Sequence, residues 1–335
     1  MDLALKYRPK TFAEIVGQNI VVGILTKQIA EKKWHNCYLF CGAHGCGKTT
    51  CARIFADDIN NHQGEPIEID AASHNGVDDM RNLINDAQQR SIDCDYKVYI
   101  IDEAHMITTQ GWNAALKLIE EPPSNTIFIF CTTNPEKLPQ TILSRVQRFD
   151  FRRIDRALIS DRLEFIMNEE IRKNYTKEAL DRISSQANGH MRDAIKLLDR
   201  CLSATDEITI DTVESILGLI KIESVSKFVF GILSNDFTVV LEELKRVESF
   251  DTNLVRFYDE ILSFVVECCE YALTENTDLI STTFNLDQKR LVMSNKDKLK
   301  LMLLRLAEIK SFVDEANVLA LLKTFVIEMG DADGN

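Results

Sequence analysis

The sequence lacks the features that mark zinc-binding, secreted and membrane-spanning proteins. None of its nine cysteines forms the C-x-x-C spacing of a zinc site, so we expect reduced thiols and no zinc. No apolar run approaches the roughly 18 residues that a membrane span needs. The start, M-D-L-A-L-K-Y, lacks a basic segment followed by an apolar one. We therefore expect a soluble, cytoplasmic protein with no membrane partner.

Basic residues are in the minority, which limits where the chain could contact nucleic acid. Lysine and arginine number 39 against 52 aspartates and glutamates, a net charge of −13 over 335 residues. The acidic excess is concentrated in the last third, where residues 218–335 carry 13 basic and 20 acidic side chains. A nucleic-acid contact is therefore expected as a local cluster earlier in the chain.

What the sequence does contain is a glycine-rich loop. Residues 42–49 read G-A-H-G-C-G-K-T, directly after the run 36–41, whose composition predicts a buried strand. In such a loop, backbone N–H groups surround nucleotide phosphates, the lysine reaches the β and γ oxygens, and the final hydroxyl binds Mg²⁺. ATP or GTP is therefore the expected ligand, together with Mg²⁺. The expected contacts are Gly42, Ala43, His44, Gly45, Cys46, Gly47, Lys48, Thr49 and Thr50. Because N–H groups favour a thiolate, Cys46 is expected to be reactive and to be protected by ATP.

Two adjacent carboxylates form a second motif. Residues 97–102, K-V-Y-I-I-D, have the composition of a central parallel strand, and Asp102 and Glu103 stand at its carboxyl end. Open α/β sheets bind their ligands at that end. Asp102 is expected to hold Mg²⁺ with Thr49, and Glu103 to orient and deprotonate a water for attack on the γ-phosphate. The predicted reaction is therefore hydrolysis of the nucleotide, without transfer to an organic acceptor.

Strand and helix signals divide the chain into three predicted domains. Residues 1–152 alternate strand-like and helical runs, which indicates an α/β domain with a parallel sheet covered on both faces. Residues 153–217 predict a small three-helix domain. Residues 218–335 predict an all-helical domain with an internal core and a surface suited to oligomer contacts. The expected strands are 38–41, 67–70, 98–102 and 127–132, and the expected helices after residue 152 are 158–168, 176–187, 191–202, 222–234, 236–249, 252–275, 296–312 and 315–329.

Eight motifs follow one another along the first half of the chain. They are K-Y-R-P-K-T-F (6–12), I-V-G-Q (15–18), the loop at 42–49, E-I-D-A-A-S (68–73), Y-I-I-D-E-A-H-M (99–106), L-K-L-I-E-E-P-P (116–123), C-T-T-N-P-E-K-L-P (131–139) and I-L-S-R (142–145). In this order they resemble the motifs of the clamp-loader AAA+ ATPases, most of all those of the gamma/tau subunits of bacterial DNA polymerase III. The likeness is dense over residues 4–153, continues through G-H-M-R-D-A at 189–194, and fades after about residue 220. It implies a P-loop AAA+ domain, a helical lid and a helical collar.

The resemblance implies roles for residues outside the loop. Thr132 matches the sensor that polarises the attacking water or the γ-phosphate, and Arg192 matches the lid arginine that reports on the γ-phosphate. Arg145 matches the arginine finger, which acts on ATP held by the neighbouring subunit. With Lys48 and Glu103, these three form the expected catalytic set. The segment that lies against adenine, which would make ATP the nucleotide, is matched by Arg8, Pro9, Val16, Gly17 and Gln18.

The resemblance also implies partners, namely a sliding clamp, primer–template DNA and other loader subunits in a pentamer. In the family, helix N-termini and basic side chains inside a spiral of subunits follow the DNA backbone. The matching residues here are His74, Asn75, Gly76 and Val77 at the start of a helix, and Lys117, with Arg81 and Arg90 as further sources of positive charge. Backbone N–H groups at Asn75 and Gly76 can hold a phosphate without a cationic side chain. A solvated helix end is the alternative at each of these positions.

The chain departs from the family pattern in three places. Residues 56–65, A-D-D-I-N-N-H-Q-G-E, stand where the family has a cysteine-rich zinc module, which again predicts no zinc. The family's S-R-C is S-R-V here, with Val146 beside Arg145. The sequence also stops after the third predicted domain, without the tau-type extension. We therefore expect a compact version from a bacteriophage or otherwise minimal replisome, acting in a bacterial or phage-infected cell.

The function expected from these features is that of a clamp-loader ATPase subunit. ATP binding would assemble a state that opens a ring-shaped clamp and grips primer–template DNA, and hydrolysis would release both. Two alternatives stay open: a hexameric AAA+ branch-migration or remodelling motor, and a catalytically silent scaffold subunit of the loader. The scaffold is disfavoured by the presence of Lys48, Thr49, Asp102, Glu103 and Arg192.

Overall fold

The computed structural model describes residues 2–91, 93–170, 174–249, 253–277, 280, 282 and 284–331. The chain divides into two compact units, residues 1–209 and residues 210–335, and each is described by itself. The predicted domain boundaries at residues 152 and 217 remain predictions. No helix in the described ranges combines the length with the apolar content that crossing a bilayer requires.

A parallel five-stranded sheet forms the centre of the first unit, which confirms the predicted α/β class. The strands are β1 (Cys37–Cys41), β2 (Ile67–Asp70), β3 (Lys97–Asp102), β4 (Thr126–Thr132) and β5 (Gln147–Asp150), in the order β2-β3-β4-β1-β5. The four expected strands are confirmed to within one residue at each end. The sequence does not predict β5, because Q-R-F-D contains a single buried apolar residue, Phe149, and neither a run nor an alternation.

Side chains alternate between the two faces of the sheet, and helices cover both. The first six helices are α1 (Leu3–Lys6), α2 (Asn19–Glu31), α3 (Lys48–Ile59), α4 (Val77–Ala87), α5 (Thr109–Glu120) and α6 (Gln140–Leu143). Tyr38 and Phe40 of β1 pack with α2 and α3, where the ring centroids of Tyr38 and Phe55 lie 5.2 Å apart. Leu39 of β1 and Tyr99 of β3 pack on the opposite face with α4 and α5. Burying one such side chain stabilises the fold by about 1.5–3 kcal/mol.

The strand register brings the predicted chemical groups to one edge of the sheet. Cys41, the last residue of β1, lies opposite Thr132, the last residue of β4, and β3 ends at Asp102. Gly42 follows β1 with a φ of 150°, and a Cβ there would lie 2.4 Å from the carbonyl oxygen of Phe151. Only glycine therefore fits at the first position of the loop. This edge is the one where open parallel sheets bind ligands.

Three helices follow the sheet within the first unit, as the apolar spacing predicts. They are α7 (Arg156–Glu169), α8 (Lys177–Gln186) and α9 (Met191–Ala204). The Asp155 side chain caps α7 by accepting the N–H of Ala157 at 2.8 Å, and Thr176 caps α8. Before α9 the chain turns at Gly189, whose carbonyl accepts the N–H of Ile154. This hydrogen bond ties the start of α9 to the segment that enters α7.

The second unit is helical in its described residues, as predicted. Its helices are α10 (Ile210–Leu217), α11 (Ile222–Leu233), α12 (Phe237–Ser249), α13 (Leu254–Thr274), α14 (Leu286–Ser294), α15 (Lys296–Ile309) and α16 (Val318–Asp331). The five expected helices are confirmed as α11, α12, α13, α15 and α16, although the expected start at residue 252 lies outside the described residues. The sequence does not predict α10 or α14. In α14, Asn285 and Gln288 exchange hydrogen bonds in a capping box that supports a short helix.

Candidate active site

Most of the predicted nucleotide-binding residues line one cavity of about 400 Å³ in the first unit. This volume lies within the roughly 300–1,000 Å³ typical of small-molecule sites. The predicted residues in its lining are Arg8, Pro9, Val16, His44, Gly45, Cys46, Gly47, Lys48, Thr49, Thr50, Asp102, Glu103 and Arg192. The predicted residues outside its lining are Gly17, Gln18, Gly42, Ala43, Thr132 and Arg145. The structure thus gathers the loop, both adjacent carboxylates and the predicted lid arginine around one space.

The loop surrounds the ammonium group of Lys48. Helix α3 begins at this residue, so its first backbone N–H groups face the loop, and a helix N-terminus favours anions. The Lys48 side chain is buried, and its Nζ donates to the carbonyl oxygens of Gly42 and Ala43, each at 2.8 Å. The cation therefore lies inside the loop, where the predicted phosphates would bind.

Replacing Lys48 by alanine is expected to weaken ATP binding about 10- to 100-fold, because one hydrogen bond to a charged group contributes about 1.5–3 kcal/mol. Titration of the purified protein with a fluorescent ATP analogue measures the change. Lys27→Ala on α2, where the lysine is 74% exposed, is the matched control and should bind like the wild type. Equal affinities in the two variants would contradict the assignment.

Thr49 and Asp102 are the residues suited to hold a divalent cation. The Thr49 hydroxyl donates to Oδ2 of Asp102 at 2.8 Å, and Oδ1 of Asp102 accepts the N–H of Glu103 at 2.9 Å. A hydroxyl and a carboxylate side by side are the hard oxygen ligands that Mg²⁺ prefers. The residues present therefore fit the predicted metal.

The Glu103 side chain points in a different direction from that of Asp102, because the backbone of Glu103 is left-handed, with a φ of 48°. Three groups lie near its carboxylate. Nδ1 of His44 lies 3.4 Å from Oε1, and Nδ1 of His105 lies 3.2 Å from Oε2. The Thr133 hydroxyl is 3.5 Å from the same Oε2. The side chain is 25% exposed and lines the cavity, as a base that acts on water requires.

The predicted sensor, Thr132, does not face Glu103 directly. Its side chain is fully buried, and its hydroxyl accepts the N–H of Asn134 at 3.1 Å and lies 3.2 Å from Nδ1 of His105. Successive residues at a strand end point to opposite sides, so the next residue, Thr133, is the one at the Glu103 carboxylate. Sequence reasoning missed Thr133 and His105, although the repeated threonine in C-T-T-N and the histidine in D-E-A-H stand in the sequence.

Hydrogen bonds connect the residues predicted to lie against adenine to the phosphate-binding loop. Gln18 is buried, and its Nε2 donates to the carbonyl oxygens of Cys46 at 3.2 Å and Arg152 at 2.7 Å. Arg8 donates from Nε to the Thr50 hydroxyl at 3.3 Å, which places its guanidinium beside the phosphate-binding loop. An apolar surface for a purine ring comes from the cavity residues Leu5, Ile15, Val16, Ile154, Met191 and Ile195.

Burial changes the electrostatics of this pocket. The pKa of Arg8 is lowered chiefly by desolvation and further by the positive charges of Arg53 and Arg192, while Glu68 opposes the shift. Arg192 lies in the first turn of α9, close to the loop. A Cβ added at Gly45 would lie 3.3 Å from the Cβ of Arg192. Several cations therefore converge on the cavity, as a polyphosphate ligand requires.

Arg145 is held by its own chain, away from this cavity. Its guanidinium contacts Oε1 of Glu120 at 2.7 Å and donates to the carbonyl oxygen of Thr141 at 2.7 Å and the hydroxyl of Ser144 at 3.0 Å. The side chain is 37% exposed. Arg145 is thus partly accessible and does not line the cavity of its own chain.

The predicted DNA-contact residues lie around the start of α4 and on α5. The N–H of Gly76 donates to Oδ2 of Asp79 at 3.0 Å, and Arg81 pairs with Asp78 at 3.1 Å. A phosphate at Gly76 would therefore require Asp79 to turn away, because the two carboxylates already occupy this helix N-terminus. His74, Asn75 and Lys117 remain predictions; Lys117 is exposed in the last turn of α5.

The expectation of a reactive thiolate at Cys46 is wrong. The side chain is 1% exposed, its Sγ donates to the carbonyl oxygen of Ala43 at 2.9 Å, and burial raises the pKa of the thiol. Desolvation of the charged form outweighs the attraction of Lys48, which alone would lower the pKa. The protonated thiol is therefore the resting form.

Under limited alkylation we expect Cys94 and Cys269 to react before Cys46, because only these two of the nine cysteines are partly exposed. Mass spectrometry of the digested protein gives the order of modification, and the unfolded protein, in which all nine should react, is the control. Modification of Cys46 in the folded protein as fast as Cys94 would contradict the burial described here.

Within the described residues, one group of side chains could share a metal ion, and this group contains no cysteine. That group is Asp57, Asp58 and His62, in which Oδ2 of Asp57 and Nδ1 of His62 are 2.6 Å apart. It lies in the segment 56–65, where the family has its zinc module. The absence of zinc remains a prediction.

Comparison with known proteins finds relatives of this chain by sequence. The sequence profile of the family described as DNA polymerase III, delta subunit, matches residues 66–155. The gamma/tau subunit of DNA polymerase III from Mycoplasma genitalium is 36% identical over 301 residues, which cover 83% of this chain and 50% of that protein. The tau subunit from Bacillus subtilis is 41% identical over 60% of this chain and 39% of that protein. The chain thus spans half or less of the length of these relatives.

The fold has relatives among solved structures. The Holliday junction branch migration motor RuvB of Thermotoga maritima has a TM-score of 0.54 at 18% identity, covering 68% of this chain and 79% of that chain. At this identity the likeness shows the fold alone. The sequence relatives are the more specific guide to the family. The chain belongs to the clamp-loader family of AAA+ ATPases, and the curated proteins that it resembles are DNA polymerase III gamma/tau subunits.

Proposed function

We propose that this chain binds and hydrolyses ATP as a subunit of a sliding-clamp loader. The observation that carries the proposal is the convergence of Lys48, Thr49, Asp102 and Glu103 on one cavity, in a chain whose relatives are gamma/tau subunits. A catalytically silent scaffold would have no need of this complete set.

In the proposed reaction, the apolar part of the cavity receives adenine and the loop receives the phosphates. Lys48 and the N-terminus of α3 bind the β and γ oxygens. Thr49 and Asp102 would hold Mg²⁺, which neutralises phosphate charge when bound. Glu103 orients a water and accepts its proton on a carboxylate oxygen. Arg192 contacts the γ-phosphate from α9.

The remaining catalytic group comes from another subunit in this proposal. Arg145 is partly exposed and outside its own cavity, so it acts as the finger on ATP bound by the neighbour, where it stabilises charge that develops in the transition state. Thr133 acts directly, and Thr132 acts through His105. Both support the side of the cavity that holds the water. Hydrolysis thus depends on assembly, for which we propose a pentamer with other loader subunits.

The proposed partners follow from the relatives. ATP binding prepares the assembly to open a sliding clamp and to grip primer–template DNA, with His74, Asn75, Arg81 and Lys117 as the candidate DNA contacts. Hydrolysis then releases the closed clamp on the DNA. The proposed place of action is the cytoplasm of a bacterial or phage-infected cell.

The test is the pattern of ATPase stimulation. The assembled protein should hydrolyse ATP fastest with its sliding clamp and primed DNA together. Stimulation by duplex or junction DNA alone, with no further effect of the clamp, would indicate a branch-migration motor. Binding of clamp and DNA without any turnover would indicate a scaffold. Either result would contradict the proposed function.

A further inference from the structure

We infer that His105 is a positioning residue for Glu103, an inference that rests on the proposed hydrolysis of ATP. His105 lies in the 3-10 turn Ala104–Met106, directly after Glu103, and its side chain is only 12% exposed. The backbone of Glu103 is left-handed, a strained conformation that persists in a non-glycine residue only where surrounding contacts support it. His105 provides such a contact.

The charge of the Glu103 carboxylate indicates which atom of His105 carries the proton. Nδ1 of His105 lies 3.2 Å from Oε2 of Glu103, within ion-pair distance, and 3.2 Å from the hydroxyl oxygen of Thr132, with which it forms a hydrogen bond. An ionised carboxylate has no proton to donate, so the imidazole that it attracts at this distance is the form with the proton on Nδ1. The Thr132 oxygen accepts the N–H of Asn134, which holds that hydroxyl in place. One imidazole N–H therefore lies between the carboxylate and a fixed group at the end of β4.

This contact ties the position of the carboxylate to the phosphate-binding loop. Thr132 is fully buried, pairs with Cys41 in the sheet, and accepts the N–H of Gly42 at its carbonyl oxygen at 3.1 Å. A path of polar contacts thus runs from Glu103 through His105 and Thr132 to the first residue of the loop. The contact of Glu103 with His44 is a weaker support, because the His44 side chain is 72% exposed and 3.4 Å away.

For catalysis, the contact with His105 constrains the direction and the distance of the Glu103 carboxylate relative to the attacking water. A base acts on water only when its oxygen is within hydrogen-bond reach of the proton that it removes. A misplacement of about 1 Å can cost about 100-fold in rate. His105 does not line the cavity, so its loss should leave the contacts with ATP intact. The effect is therefore expected in kcat and not in KM.

Two matched substitutions at His105 distinguish the loss of the polar contact with Glu103 from a change in the shape of the side chain. Leucine and asparagine both branch at Cγ, but only asparagine keeps a donor nitrogen near the position of Nδ1. His105→Leu should lower kcat by about 100-fold with KM and ATP affinity unchanged, whereas His105→Asn should stay close to the wild type. Thermal unfolding is followed for each variant, and His105→Met is the second donor-free variant if the leucine variant does not fold.

The outcomes separate this inference from the proposed function. A wild-type assembly that binds clamp and DNA but never turns over ATP would overturn the proposed function itself. Turnover by the wild type and equally by a folded His105→Leu or His105→Met protein would overturn only the role of His105. An asparagine variant as slow as the leucine variant, or a loss that appears in KM, would overturn it as well.

Discussion

Replacing Arg145 by alanine is expected to lower ATP turnover in the assembled protein by about 10³- to 10⁵-fold. In the proposed role the guanidinium stabilises negative charge that develops in the transition state, so its loss acts on the chemical step. ATP affinity of the isolated chain should stay near that of the wild type, because Arg145 does not line the cavity proposed to bind the nucleotide. Turnover rates and equilibrium ATP binding, measured on the same preparations, test both halves of this prediction.

Arg148→Ala is the matched control for this prediction. Arg148 lies on β5, is 47% exposed and pairs with Asp150, as Arg145 pairs with Glu120. Its removal should leave turnover unchanged. Similar turnover in the two variants would show that Arg145 is an ordinary surface arginine. A loss of ATP affinity in Arg145→Ala would contradict a role that is confined to the transition state.

Glu103→Gln should lower turnover by about 10²- to 10⁴-fold while ATP still binds. Glutamine keeps the size of the side chain and an oxygen that can stay in contact with Nδ1 of His105, but it cannot take a proton from water. Single-turnover hydrolysis of radiolabelled ATP gives the rate, and equilibrium binding gives the affinity. Glu31→Gln on α2, where the glutamate is 51% exposed, is the control. Turnover by Glu103→Gln at the wild-type rate would mean that another group removes the proton.

The sequence predicts those parts of the site that depend on local pattern. Residues 42–49 follow a buried strand, and residues 97–102 end in a carboxylate, so both motifs could be placed on a parallel sheet from spacing and composition. Parallel strands share one carboxyl edge, which explains why Thr49 and Asp102 meet at 2.8 Å as expected. Long helices with a clear apolar face were equally predictable.

What the sequence did not predict depends mostly on contacts between distant segments. Burial by surrounding residues raises the pKa of Cys46 and reverses the expected reactivity. The amide of Gly76 is a local exception, because the carboxylate of Asp79, three residues later in the same helix, covers it. The orientation of Thr132 away from Glu103 follows from where β4 ends, which no motif states. The polar contacts of His105 join the ends of two strands, so they become visible only once the sheet has assembled.

The central claim is that each ATP site is completed by a neighbouring subunit, and a mixing experiment tests it most directly. Arg145→Ala and Glu103→Gln chains, each inactive alone, are co-assembled, and ATP turnover is measured in assemblies shown to contain both. Some interfaces then combine an intact Arg145 from one chain with an intact Glu103 from the other. Partial recovery of turnover is the predicted result. No recovery in mixed assemblies would mean that Arg145 acts within its own chain or not at all, and would contradict the account.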